Sequence, residues 1–139
     1  MAANPIIIMT PRSAKARLLR IGEPLPSTLN IEFPSIDPIW TWVVDGHYGI
    51  EGCLIAAPGP GIAILLKLST VPAASSTVIV KLLRRSLTDM ANRGYRGYLV
   101  CLDPAHPLEA KLATIAIKAR GLVMGRGVII AGYTDIGGL

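Results

Sequence analysis

Three consecutive hydroxyl residues, Ser75, Ser76 and Thr77, lie between an apolar run that ends at Val71-Pro72 and a segment with helical spacing. Hydroxyls and unpaired amides at a helix start suit an anion, because the helix dipole places partial positive charge there. The other reactive side chains form no constellation. His47 and His106 lie far apart, each in a turn-like stretch, and make no ligand motif. Cys53 and Cys101 are embedded in apolar runs and read as buried, reduced thiols. From Gly52 to Thr88 there is no Asp or Glu, so the middle of the chain supplies no carboxylate for general-base work.

The elements around the hydroxyl run follow from hydrophobic periodicity. IWTWVV from Ile39 is β-branched and aromatic, as strands prefer, and Asp45-Gly46 signals a hairpin. A second strand, Tyr48 to Ala57, ends at the Pro58-Gly59-Pro60-Gly61 turn. The third, Ile62 to Val71, is nearly all apolar and suits a central strand buried on both faces. Val78, Ile79, Leu82, Leu83, Leu87 and Met90 then recur at helical spacing, with Ser75, Ser76 or Thr77 as N-cap and Gly94 closing the helix. A strand at 98–102, a helix with Leu108, Leu112, Ile115 and Ala119 on one face, and a strand at 128–131 complete the order. One right-handed strand–helix–strand crossover from Ile62 to Leu102 puts its two strands near each other. Residues 1–38 carry six prolines, which predicts an extended arm with a short helix at Ser13–Arg20 and a short strand at Ile6-Ile7-Ile8.

The chain's 139 residues suit one domain with one core. Half of them are hydrophobic and mean hydropathy is +0.50, yet no stretch reads as a membrane span or a signal peptide. So much apolar surface in a small domain predicts a homo-oligomer or another protein partner. The thiols and the absence of a leader pattern predict a cytoplasmic protein, or one built into a particle assembled there. Charge is uneven. Residues 1–22 hold Arg12, Lys15, Arg17 and Arg20 without an acid, and residues 23–60 hold Glu23, Glu32, Asp37, Asp45 and Glu51 without Lys or Arg. These blocks could pair within a subunit, between subunits, or leave the arm to bind nucleic acid.

Particular residues then point to a family. They are Asp45-Gly46 with Gly52, the strand end and turn Leu68 to Pro72, Leu82-Leu83, Arg93-Gly94 and Gly121. Over residues 39–133 their order resembles the GCN5-related N-acetyltransferase (GNAT) fold, the acyl-CoA N-acyltransferase family. The resemblance implies a single α/β (α+β) domain over residues 39–139: a mixed, mostly antiparallel sheet with helices packed on it, preceded by the arm. It implies that the central strand and its successor splay, with acyl-CoA in the gap and pyrophosphate on the helix start. Val71, Ser75, Ser76 and Thr77 would then contact the cofactor. The family's arginine and glycines after Pro72 are replaced, and Val78 and Val80 put β-branched bulk where phosphate would approach, although packing the helix on the sheet is the favoured role for both. Aligned on Gly121, Ile117 falls where the family often has a catalytic tyrosine, so catalytic residues are unassigned.

Three functions follow. The first is a GNAT-like protein with weak or lost transfer activity and no cofactor, serving as a structural subunit of a larger assembly, a use that resembles small GNAT-like phage virion proteins. The alternative is an active acetyl-CoA-dependent N-acetyltransferase. The third, a nucleic-acid module, rests on a pI of 9.6 and the basic arm, and is disfavoured by the 5% aromatic content.

Overall fold

The structure is a computed structural model that describes residues 15–47, 49–72, 74–101, 122–124 and 129–133. Along the chain these form β1 (Ala16–Leu18), a 3₁₀ turn at Ser27–Leu29, β2 (Trp40–Gly46), β3 (Gly49–Pro58) and β4 (Ile62–Thr70). Then come α1 (Ser76–Asn92), β5 (Gly97–Cys101), β6 (Leu122–Met124) and β7 (Ile129–Tyr133). All seven strands share one sheet in the order β1-β2-β3-β4-β5-β7-β6. Only β4 and β5 run parallel, as the crossover through α1 requires. The mixed, mostly antiparallel sheet expected from the sequence is present.

Each face of the sheet buries its own cluster. On one face Val78, Ile79, Leu82, Leu83, Leu87 and Met90 of α1 pack on Trp42, Leu54, Ala63, Leu65 and Leu68. Gly52 permits this close approach, since a Cβ there would lie 2.5 Å from Val78 Cγ1. On the other face Leu29 joins Val43, Ile50, Cys53 and Ile55, with Leu19, Leu25, Ile31, Ile39 and Val71 around them. Burial pushes the Cys53 thiol up to about 12, which keeps it protonated and inert.

The expected arm is built into the domain from Ala16 onward. Where a short helix was expected at Ser13–Arg20, residues 16–18 form β1 and pair antiparallel with Val44, Val43 and Trp42. So short a helix is marginal on its own, whereas a sheet edge supplies backbone partners at once. The strand β6, paired with β7, was not anticipated either. Ile6-Ile7-Ile8 and the second helix, with Leu108, Leu112, Ile115, Ile117 and Ala119, lie outside the described residues.

The opposed charge blocks meet inside one chain. Arg17 donates to both carboxylate oxygens of Asp45 at 2.6 and 2.9 Å and to both of Glu23 at 2.9 and 2.7 Å. The Arg17 hydrogen bonds hold the Glu23 carboxyl down at about 2 and Asp45 below its usual range. A carboxyl lowered by folding adds stability above its unfolded value and loses it as pH falls through the folded one. The thermal midpoint should therefore drop between pH 4.5 and about 2. Scanning calorimetry of Arg17→Met should show a shallower drop over the same window. An unchanged slope would remove this cluster from the account of acid stability.

Candidate functional site

The candidate site lies where the described parallel pairing of β4 with β5 ends. The parallel pairing runs Ile62–Gly97, Ala63–Tyr98, Ile64–Leu99 and Leu65–Val100, and stops there. β4 continues through Leu66, Lys67, Leu68, Ser69 and Thr70, while Cys101, the last residue of β5, pairs with Ile129 of β7. Among the described residues nothing pairs with that stretch of β4 on its β5 side.

A bulge lies at the same level of β4. Against β3, Ile55 faces Lys67 but Ala56 faces Leu65, so Leu66 is an extra residue without a partner. Bulges bend a strand and increase its twist. The extra residue also leaves Leu65 and Leu68, three positions apart, on the α1 face together. Leu54, Leu65, Leu66, Leu68, Leu83 and Val100 line a small apolar recess at this point on the α1 side, whereas Lys67, opposite Ile55, stands on the other face of the sheet.

Above the recess the chain turns into α1. Val71 donates its N–H to the Glu51 carbonyl at 2.8 Å and packs on the second cluster, so this predicted contact residue has its amide committed to the fold. Ala74 donates to the Val71 carbonyl at 3.0 Å and closes the turn. Ser75 is the N-cap in extended conformation, but its side chain caps no amide. Its hydroxyl pairs instead with that of Thr77, and both residues are exposed. No acid lies in the first turn, so the positive end of the helix dipole keeps no carboxylate of its own. Ser76 sits in that turn at the first helical position.

Val78 does not obstruct this end, and it takes the packing role that the sequence favoured for it and Val80. It is 3% exposed, against the sheet, and Val80 packs on the same cluster. The Val78 amide donates to the Ser75 carbonyl at 3.1 Å, and the paired hydroxyls of Ser75 and Thr77 are exposed beside the helix start. Sequence reasoning missed the bulge at Leu66.

Other candidate groups have structural employment. Arg85 donates to Asp89 at 2.9 Å and to the Ala16 carbonyl at 3.0 Å, which breaks up the basic face of α1. Arg93 lies 5.6 Å from the Trp40 ring centre. His47 is exposed in the β2–β3 turn, and His106 lies outside the described residues. Among the described residues no cluster of His, Cys, Asp or Glu could hold a metal, and no helix is long and apolar enough to cross a membrane.

No protein-family model and no curated protein matches the sequence. Solved structures do match in shape. An N-acetyltransferase from Thermoplasma acidophilum in complex with coenzyme A superposes with a TM-score of 0.56 at 12% identity, over 68% of this chain and 60% of that one. The chain thus spans less than two thirds of that relative's length. An IAA acetyltransferase from Bacillus cereus gives a TM-score of 0.68 at 12% identity, covering 87% of this chain and 99% of that one. A GNAT family acetyltransferase from Elizabethkingia anophelis with acetyl-CoA bound gives 0.65 at 11% identity, covering 86% and 97%. At these identities the likeness concerns backbone architecture: this chain has the GNAT acetyltransferase fold.

Proposed function

We propose that this chain binds an acyl-CoA between β4 and β5 and passes its acyl group slowly to an amine. The observation that carries this reading is that, among the described residues, β4 runs on past its last pairing with β5 at Leu65 and Val100 and has no partner on that side along Leu66–Thr70. An extended ligand that carries amides can add to such an edge as a peptide strand does, and the pantetheine arm is such a ligand. From Leu65 to Thr70 the strand rises about 17 Å, which suits an extended arm. At its upper end Ser75, Ser76, Thr77 and the first amides of α1 would hold the pyrophosphate. At its lower end the apolar recess would exclude water from the thioester.

Acyl-CoA, when bound, supplies a thioester carbonyl activated toward an amine. The protein's part is then to position and to desolvate. β4 carries no Asp or Glu, and Tyr98 is buried in the core with its hydroxyl pushed up by burial. With no base on β4 the acceptor amine would arrive neutral, and the chain would forgo a factor of about 10²–10⁴ in rate.

Calorimetric titration with coenzyme A tests the reading. Micromolar binding to the intact chain is expected, together with a rise in thermal midpoint, because a ligand of the folded state alone adds stability. No heat and no shift at millimolar coenzyme A would reject it.

A second reading, a subunit of a larger protein assembly, is favoured by one observation. Leu18, Ile21, Phe33 and Ile36 are exposed, Ile21 at 105% and Phe33 at 50%. Light scattering separates it from a monomeric binding protein.

A further inference from the structure

We propose that Arg17 and Arg85 close the free edge of β1 against strand pairing with a second copy of this chain. β1 is the outermost strand of the sheet and, among the described residues, pairs only with β2. Leu19 donates its N–H to the Thr41 carbonyl at 2.9 Å. Along β1 the backbone groups of Arg17 therefore face β2, and those of Ala16 and Leu18 face outward. A second copy could add there antiparallel, centred on Arg17. Ala16 of one copy would then stand opposite Leu18 of the other, and each outward N–H would find the other copy's carbonyl.

Both outward carbonyls are already taken. Arg85 Nη1 donates to the Ala16 carbonyl at 3.0 Å, and Arg17 Nη1 to the Leu18 carbonyl at 3.2 Å. The two guanidiniums arrive from opposite faces of the sheet. Arg85 comes from α1, whereas Arg17 stands opposite Val43, which is buried in the cluster away from α1. Each is anchored by carboxylates, Arg85 by Asp89 at 2.9 Å and Arg17 by Glu23 and Asp45. An incoming strand would have to dislodge an arginine from each carbonyl it needs. Lys15, exposed at the start of the strand, adds the kind of charge that guards natural sheet edges. The edge needs such cover, since Leu18 on it and Ile21 just beyond it are exposed apolar residues. Bonds that served only to tie α1 to β1 would, on removal, lower stability and leave the mass in solution unchanged.

Sedimentation equilibrium of the intact chain and of Arg85→Met separates the two roles. Removing one charge-assisted bond that competes with pairing should strengthen self-association at least about tenfold. Leu18→Pro added to Arg85→Met takes away an outward N–H and spares the pairing with β2, so it should return self-association to the native level. Unchanged association in Arg85→Met, or association that the proline does not reverse, would overturn the proposal. Residue-resolved amide exchange of the native chain gives a second test that needs no variant. The Ala16 and Leu18 amides should exchange freely at every protein concentration, with Leu19 protected. Protection of Ala16 and Leu18 that grows with concentration would show the edge already paired, and would overturn the proposal as well.

Discussion

Asp89→Ala is expected to destabilise the fold by about 2–4 kcal/mol, a fall in thermal midpoint of about 8–16 °C for a domain of this size. The Trp42 side chain is fully buried, and its Nε1–H donates to Asp89 Oδ2 at 2.8 Å. The same oxygen accepts from Arg85 Nε at 2.9 Å, and Arg85 reaches on to the Ala16 carbonyl at 3.0 Å. One carboxylate therefore ties α1 to β2 and, through Arg85, to β1. Alanine leaves the indole N–H without an acceptor in the core, and an orphaned buried donor costs more than the net worth of the bond it loses. Asp89→Asn keeps an acceptor oxygen and should lose less than half as much. Chemical denaturation read by tryptophan fluorescence checks both. Equal losses for the two variants would show that the charge, and not the acceptor, matters.

Ser75→Asp should move stability and binding in opposite directions. The native N-cap hydroxyl caps no amide, and the first turn holds no acid. Aspartate at this position can cap the helix and meet its dipole, so the variant should gain about 0.5–1 kcal/mol. The same carboxylate would stand where the pyrophosphate is placed. Coenzyme A affinity should fall at least tenfold, the order expected when a favourable anion site gains a like charge. Destabilising variants lose binding for many reasons, but a stabilised variant that loses it identifies the helix start as the anion site. If Ser75→Asp binds coenzyme A as well as the native chain does, the pyrophosphate lies elsewhere.

The sequence made the central strand, the turn and the helix readable because each has a strong local cause. ILLKLST is apolar and β-branched, Pro72 cannot continue a strand interior, and the leucines of α1 recur at helical spacing. Asp45-Gly46 likewise marked the β2–β3 hairpin, although a register shift at Val44/Asp45 precedes it. Two things were hidden. The Leu66 bulge is a property of pairing with β3, and in sequence it shows only as Leu65 and Leu68 spaced by three within a strand. The covering of the second face by residues 19–39 depends on single contacts such as Leu29, 1% exposed among prolines that otherwise suggest a free arm. Val78 was readable: chain order put it beside the hydroxyls, but the helical spacing already favoured its packing on the sheet, where it lies against Gly52.

The cleft between β4 and β5 is the central claim, and amide hydrogen exchange of the intact chain with and without coenzyme A tests it most directly. Protection should rise along Leu66–Thr70 and at the first amides of α1, with little change along β2. Binding that protects β1 or the 19–39 segment and leaves Leu66–Thr70 unchanged would contradict it.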